Sequence, residues 1–222
     1  MSTMSEIAKS KHPFISDKEW RHDYYNNTYE PLLRGLKNNP ICLLEIGVNY
    51  GYSLGVWREY FTKATIIGVE LDAYNSFPYR SNHHATDGSY GPLRQAQSWY
   101  GLTSIDPKKF YDNFQGCTII YGDATDADTY RGLGKLDVVI DDGSHGLEDI
   151  VASFDILMPR LNDGGLYIIE DSPDAVKFYS GTAGIVMPHW GPASVEVVHI
   201  YDGSAEKHPS TTTIALRKNS DI

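Results

Sequence analysis

Val138-Val139-Ile140-Asp141-Asp142-Gly143-Ser144-His145 runs from three β-branched apolar residues straight into two carboxylates, a glycine, a serine and an imidazole. An apolar run of this kind reads as a buried central strand of a parallel sheet. In an open α/β sheet, ligands bind outside the carboxyl ends of the strands, so the polar cluster falls where chemistry is expected. The same letters also read as a helix start, with Asp142 or Ser144 as N-cap and His145 solvated in the first turn. The stretch alone leaves both readings open; its surroundings choose between them.

Downstream, Leu147, Ile150, Val151, Phe154, Leu157 and Leu161 trace a helical stripe. Asn162-Asp163-Gly164-Gly165 then turns into a strand, Leu166–Ile169, which again ends in acid, Glu170-Asp171. Upstream, Ile41–Ile46 is a strand apolar on both faces, followed by the turn Gly47-Val48-Asn49-Tyr50-Gly51-Tyr52-Ser53. Ser53 is placed to cap a helix carrying Leu54, Val56, Trp57, Tyr60 and Phe61, and a second strand, Thr65–Val69, ends at Glu70-Leu71-Asp72. A third strand, Thr118–Tyr121, leads through Gly122-Asp123-Ala124 to a short helix over Ala127–Leu133. Tyr25, Tyr29, Leu32, Leu33 and Leu36 predict an amphipathic helix over 22–37, ended by Asn38-Asn39-Pro40. Val195–Tyr201 and Thr211–Leu216 predict an antiparallel pair closing one sheet edge. The class is α/β.

With 222 residues the chain is sized for one domain, read here as 16–222 behind a flexible leader, 1–15. Residues 73–115 break the rhythm and read as an inserted, aromatic-rich flap with short helices over Leu93–Tyr100 and Pro107–Phe114. A net charge of −10 without a Lys/Arg block argues against nucleic acid as partner. No apolar run approaches bilayer length, and no signal peptide is visible, so the expectation is a cytoplasmic protein with Cys42 and Cys117 as buried thiols rather than a disulfide and no membrane partner. The sequence leaves room for a homo-oligomer.

Three constellations carry chemistry. The glycine turn after the first strand lets backbone pass close to a ligand; it is not G-x-G-x-x-G, which disfavours a pyrophosphate and suits a cofactor with an amino-acid moiety. The same turn also serves any α/β protein. Glu70, with Asp72 as competitor, ends the next strand, where a carboxylate can accept two ribose hydroxyls. Asp123 would sit at the third strand end, within reach of an adenine amino group. Asp142, Glu170 and Asp171 offer hard oxygen ligands at neighbouring strand ends, suited to Mg²⁺ or another divalent cation, with His145 near enough to act as base.

The ordered set resembles a class I S-adenosylmethionine-dependent methyltransferase, and more narrowly the metal-dependent sugar O-methyltransferases of the macrocin and mycinamicin type. The resemblance rests on Asp17-Lys18, His22-Asp23-Tyr24 and Tyr29-Glu30, on LLEIGVNYGYSLGVWREYF from Leu43, on Gly122-Asp123, on IDDGSH from Ile140, on ASFDILMPRL from Ala152, and on GGLYIIED from Gly164. It covers roughly 16–72 and 118–173. It implies a Rossmann-like fold: a mostly parallel seven-stranded sheet with an antiparallel C-terminal pair and helices on both faces. It further implies that Glu45, Gly47, Asn49, Gly51, Ser53, Glu70, Asp123, Asp141 and Tyr24 hold S-adenosylmethionine. Asp142, Glu170 and Asp171 would then hold Mg²⁺, His145 and Asp142 would be catalytic, and the partner would be a small-molecule hydroxyl acceptor, a sugar or glycosylated natural product. Lys18 and His22 would fold over the cofactor or substrate. Two rival functions share the same features: a cofactor-binding relative with different, hydroxylase-like chemistry, and a non-catalytic nucleotide-binding protein.

Overall fold

The computed structural model describes residues 2–11, 16–49, 51–71, 114–179 and 194–220. The strands are β1 (Cys42–Ile46), β2 (Thr65–Glu70), β3 (Cys117–Tyr121), β4 (Leu136–Asp141), β5 (Leu161–Glu170), β6 (Val195–Asp202) and β7 (Thr212–Lys218). They form one seven-stranded sheet in the order β3-β2-β1-β4-β5-β7-β6. The first five strands in this order pair in parallel, whereas β7 is antiparallel to both β5 and β6. This is the predicted class I methyltransferase sheet. Chain order reverses between β1 and β4, and the carboxyl ends of these two strands therefore frame the crevice where such sheets bind ligands.

The helices are α1 (Met4–Ser10), α2 (Asp17–Trp20), α3 (Glu30–Leu33), α4 (Tyr52–Tyr60), α5 (Leu147–Leu157) and α6 (Pro173–Tyr179). Side-chain alternation along the strands divides the core. On one face Leu43, Val138, Ile140 and Ile168 pack with Trp57, Tyr25 and Tyr29 under the N-terminal segment and α4. On the other, Leu44, Val139, Tyr167 and Ile169 pack with Ile150, Phe154 and Leu157 of α5.

Several expectations are corrected. Residues 4–10 of the expected leader form a helix, capped by the reciprocal Thr3–Glu6 pair, and its Met4, Ile7 and Ala8 are buried in the core. The single helix expected over 22–37 is a wide-turned π segment (Tyr25–Tyr29) continuing into α3 and then a tight turn, Arg34–Leu36. Three tyrosines, Tyr24, Tyr25 and Tyr29, are fully buried there, and the widened turn seats them. The helix over Ala127–Leu133 is a short 3₁₀ turn, Ala127–Tyr130. α5 stops at Leu157, and Leu161 already belongs to β5, which absorbs Asn162–Gly165 as a bulge: Leu136 pairs with Leu161 but Val138 with Leu166. The flap at 73–115, its two helices and Asp72 lie outside the described residues save Phe114 and Gln115. Cys42 and Cys117 form no disulfide and are half-buried rather than buried. Among the described residues, no helix is long and apolar enough to cross a membrane.

Candidate active site

The strand register builds the site. Ile46 pairs with Asp141, and Asp141 with Ile169, so Gly47, Asp142 and Glu170 leave the sheet at one level. Because successive side chains alternate, the two aspartates face opposite ways. Asp141 is buried toward α5, where its Oδ2 accepts from Ser153 and from the Tyr167 hydroxyl, both at 2.8 Å. Burial raises its pKa, against those two hydrogen bonds. Asp142 faces the N-terminal segment. Neither Asp142 nor Ser144 caps the next helix; α5 begins after Gly146, which caps it without a side-chain hydrogen bond.

Gly47 needs to be glycine. Its φ is +81°, and an added Cβ would collide with the Asp142 carbonyl, coming within 2.7 Å of its carbon. The backbone of the glycine turn thus rests directly on the backbone of the acidic cluster. Gly51 (φ +70°) opens α4 and backs onto the Phe114 ring. Ser53 does not cap α4; its hydroxyl donates to Glu45 Oε2 at 2.8 Å, beside Trp57 Nε1 at 3.0 Å.

Glu70 holds the turn. Its Oε2 accepts from the backbone amides of Val48 (3.1 Å) and Asn49 (2.9 Å). A cavity of about 510 Å³ opens here, lined by Gly47, Asn49, Ser53, Glu70, Asp142, His145 and Asp171, together with Lys18, Trp20 and Arg21 of the N-terminal segment. A second, of about 330 Å³, shares Gly47, Glu70 and Gly143 with it and adds Asp123, Asp141, Ser144 and Ser153. The two meet along the carboxyl ends of β1, β2 and β4. Asp123 is exposed, and two hydrogen bonds from Thr125 to its Oδ1 lower its pKa.

Asp142, His145 and Asp171 each place one ligand atom so that all lie within 4.8 Å of one another. Two carboxylate oxygens and an imidazole at that spacing are a donor set that fits a divalent cation. His145 and Asp171 both hold positive φ, +60° and +53°. The His145 carbonyl accepts from Ser172 Oγ, the residue that also caps α6. The Tyr24 hydroxyl donates to Asp171 Oδ1, and His22 Nε2 lies 3.6 Å from Asp171 Oδ2.

Four predicted site residues stand elsewhere, Gly51 among them, since it lines neither cavity. Glu45, fully buried, lines neither cavity; it lies behind the turn with Ser53, Trp57 and Lys18. Tyr24 is also fully buried and reaches the site only through Asp171. Glu170, expected as a metal ligand, is 2% exposed and turned inward, accepting from Lys18 and from the Tyr29 hydroxyl through the same Oε1. Burial pushes its carboxyl up to about 7, against the pull of Lys18.

Lys18, read from sequence only as a residue folding over the site, is at its centre. The ammonium lies 2.6 Å from Asp142 Oδ2, 2.8 Å from Glu170 Oε1 and 3.4 Å from Glu45 Oε1. Burial alone would lower its pKa, but the carboxylates of Asp142 and Glu170 outweigh burial and hold it well above the ordinary lysine value. Residues not anticipated at all include Trp20, 56% exposed at the cavity rim, and Arg21, which donates to His208 Nε2 at 2.6 Å. Only the density of aromatic and charged residues over 17–25 hinted at them.

No family model matches the chain. It is 29% identical over 168 residues to the 8-demethyl-8-alpha-L-rhamnosyl tetracenomycin-C 2'-O-methyltransferase of Streptomyces olivaceus, which covers 70% of this chain and 35% of the relative. It is 30% identical over 160 residues to the mycinamicin VI 2''-O-methyltransferase of Micromonospora griseorubida, covering 67% of this chain and 31% of the relative. The chain thus spans about a third of the length of these curated relatives. Among solved structures it is similar to the MycE methyltransferase of the mycinamycin biosynthetic pathway, in complex with Mg, SAH and mycinamycin VI. That likeness has a TM-score of 0.64 at 21% identity and covers 98% of this chain and 55% of MycE. The fold is that of class I methyltransferases, and the sequence is similar to that of sugar O-methyltransferases of natural-product biosynthesis.

Proposed function

We propose that this chain catalyses S-adenosylmethionine-dependent, Mg²⁺-assisted methyl transfer to a hydroxyl oxygen of a sugar or glycosylated small molecule. One observation carries the reading: the turn-anchoring Glu70 and the Asp142–His145–Asp171 cluster line the same cavity. A nucleoside-holding carboxylate and a cation-holding cluster are what such a transfer needs side by side.

The bound groups supply an electrophilic methyl on a sulfonium and a Lewis acid that acidifies an alcohol. The protein does the rest. Glu70 spends Oε2 on the turn and presents Oε1 to the ribose hydroxyls. Asp123 accepts from Thr125 through Oδ1 and presents Oδ2 to the adenine amino group in the smaller cavity. Asn49, Gly47 and Ser53 shape the wall against the amino-acid end. Asp142 and Asp171 hold the divalent cation, with Tyr24 orienting Asp171 by its hydrogen bond. His145 accepts the acceptor's proton, its backbone pinned by Ser172. The fold would contribute chiefly by holding the acceptor oxygen close to the bound cofactor's methyl group.

The acidic balance suits a neutral sugar better than a polyanion, and two cysteines that form no disulfide suit a reducing cytoplasm. Calorimetric titration with S-adenosylmethionine and S-adenosylhomocysteine, each with Mg²⁺ and with chelator, tests the reading. Both should bind at micromolar strength or better; binding of neither removes the assignments of Glu70 and the turn together. The mass of a product separates methyl transfer from hydroxylation, since one gains a CH₂ and the other an oxygen.

A further inference from the structure

His22 is 1% exposed and held from two sides. Its Nδ1 lies 2.7 Å from the Thr211 hydroxyl, and its ring stacks on Tyr24 with centroids 4.9 Å apart and planes 12° from parallel. Thr211 is fully buried, and its Oγ1 already accepts from the His208 amide at 3.1 Å. Among the described residues no other acceptor meets that hydroxyl, so it donates to Nδ1. Burial lowers the imidazole pKa, against the pull of Asp171, and the neutral ring carries its one proton on Nε2. That N–H is buried, has no hydrogen-bond partner among the described residues, and faces Asp171 Oδ2 at 3.6 Å. A buried donor left without an acceptor is costly, and such exceptions need a reason. The other oxygen of the same carboxylate, Oδ1, accepts from the Tyr24 hydroxyl. Two stacked rings thus aim one donor each at the two oxygens of one carboxylate. The start of β7 sets both sides of the contact: Thr211 holds the histidine, and the Thr212 carbonyl accepts the Asp171 amide at 2.9 Å.

We propose that His22 is a positioning residue for Asp171: its Nε2–H closes on Oδ2 when the carboxylate turns to a divalent cation, so that His22 and Tyr24 together set the angle at which Asp171 meets that cation. This rests on the Mg²⁺-assisted reading of the site. At 3.6 Å the contact is longer than a hydrogen bond, and a small rotation about the Cβ–Cγ bond of Asp171 is enough to close it. A carboxylate oxygen that accepts one hydrogen bond keeps a second lone pair, so donors on both oxygens orient Asp171 without removing it as a ligand. Hydrogen-bond partners behind a metal ligand typically contribute about tenfold to a hundredfold in metal affinity.

The test is Mn²⁺ binding by the 222-residue chain without cofactor, read from loss of the free-ion electron paramagnetic resonance signal at about pH 8, where a free imidazole is neutral. The unaltered protein is compared with three variants. His22→Gln carries an amide N–H to the Nε2 position and gives up the Thr211 contact. His22→Asn keeps a partner for Thr211 and has no donor at the Nε2 position. His22→Leu packs on Tyr24 with no donor at all. His22→Asn and His22→Leu should weaken Mn²⁺ roughly tenfold or more, whereas His22→Gln should stay within about threefold of the unaltered chain. Urea denaturation in chelator reports folding separately, and a histidine that served only packing would shift that midpoint while leaving the three Mn²⁺ affinities alike. Equal affinities in the three variants, or a loss in His22→Gln as large as in His22→Leu, overturn the proposal. If His22→Asn does not fold, the comparison of His22→Gln with His22→Leu still decides. No Mn²⁺ binding by the unaltered chain would remove the metal reading and this proposal with it. Full binding by folded His22→Asn and His22→Leu would remove the role of His22 alone.

Discussion

Gly47→Ala is the perturbation that the geometry prices most directly. Two separate penalties apply at this position. The φ of +81° puts an L-residue into the left-handed region, at roughly 1–2 kcal/mol. The new Cβ also meets the backbone of Asp142 and Gly143, with the Asp142 carbonyl carbon at 2.7 Å. No rotamer change relieves a backbone contact, so the end of β4 must shift, adding about 1–3 kcal/mol. The expected loss is about 2–5 kcal/mol in urea denaturation. Gly132 supplies the control: its φ is +80° and nothing lies within 4 Å of an added Cβ. Gly132→Ala should therefore show the conformational penalty alone, about 1–2 kcal/mol. The displaced Asp142 should also weaken both S-adenosylhomocysteine and Mn²⁺ in Gly47→Ala but neither in Gly132→Ala. If the two alanine variants were equally stable and bound both ligands alike, the close crossing of turn and acidic cluster would be refuted.

Glu70→Gln should weaken S-adenosylhomocysteine by roughly tenfold to a hundredfold in calorimetry, since charge-assisted hydrogen bonds contribute about 1.5–3 kcal/mol. His145→Ala should leave that affinity within about twofold while lowering methyl transfer to a sugar hydroxyl acceptor, followed by mass spectrometry, roughly a hundredfold or more. Wild-type turnover in this variant would exclude His145 as base. The Glu170 carboxyl, pushed from 4.5 to about 7 by burial, binds its proton more tightly folded than unfolded. Its contribution to stability is therefore complete below pH ~4.5 and is lost as pH rises through ~7, on the order of 3 kcal/mol in all. In chelator, the urea midpoint should fall across that window, and Glu170→Gln should flatten the fall; an equal slope in both proteins would assign the pH dependence to another group.

The sheet was legible because its strands are short, apolar and each closed by a polar signal: Ile46 before Gly47, Val69 before Glu70, Ile140 before Asp141, Ile169 before Glu170. Period and punctuation suffice for that, and they placed the acids at the correct end of the sheet. Direction was harder to read. Asp141 and Asp142 are adjacent letters with opposite surroundings, one hydrogen-bonded to Ser153 and Tyr167, the other ion-paired to Lys18. Glu45 and Glu170 looked like ligand-facing acids, yet both turn toward a lysine 27 and 152 positions away in the chain. No local pattern encodes such a pairing. The N-terminal helix was missed for a related reason: seven residues are too few to be stable alone, and α1 persists because Met4, Ile7 and Ala8 are covered by the core.

Backbone strain ties these threads together. Among the described residues, the non-glycine positions with positive φ are Asp23, Asn49, His145 and Asp171. Such conformations cost of order 1–3 kcal/mol each, and glycine would remove the cost. Each of the four is instead restrained by another group. Asp23 accepts from the side chains of Asn26 and Asn27, and the Asn49 amide donates to Glu70. Ser172 holds the His145 carbonyl, and the Asp171 amide donates to the Thr212 carbonyl at 2.9 Å while Tyr24 holds its side chain. Asn49, His145 and Asp171 line the larger cavity, and Asp23 lies between His22 and Tyr24, the two residues that flank Asp171. A strained turn that needed only its backbone shape would be served by glycine, as Gly47 and Gly51 are. Strain retained together with an imidazole, an amide and a carboxylate indicates that the side chains themselves are required, and that β7, α6 and the N-terminal segment are recruited to hold them there.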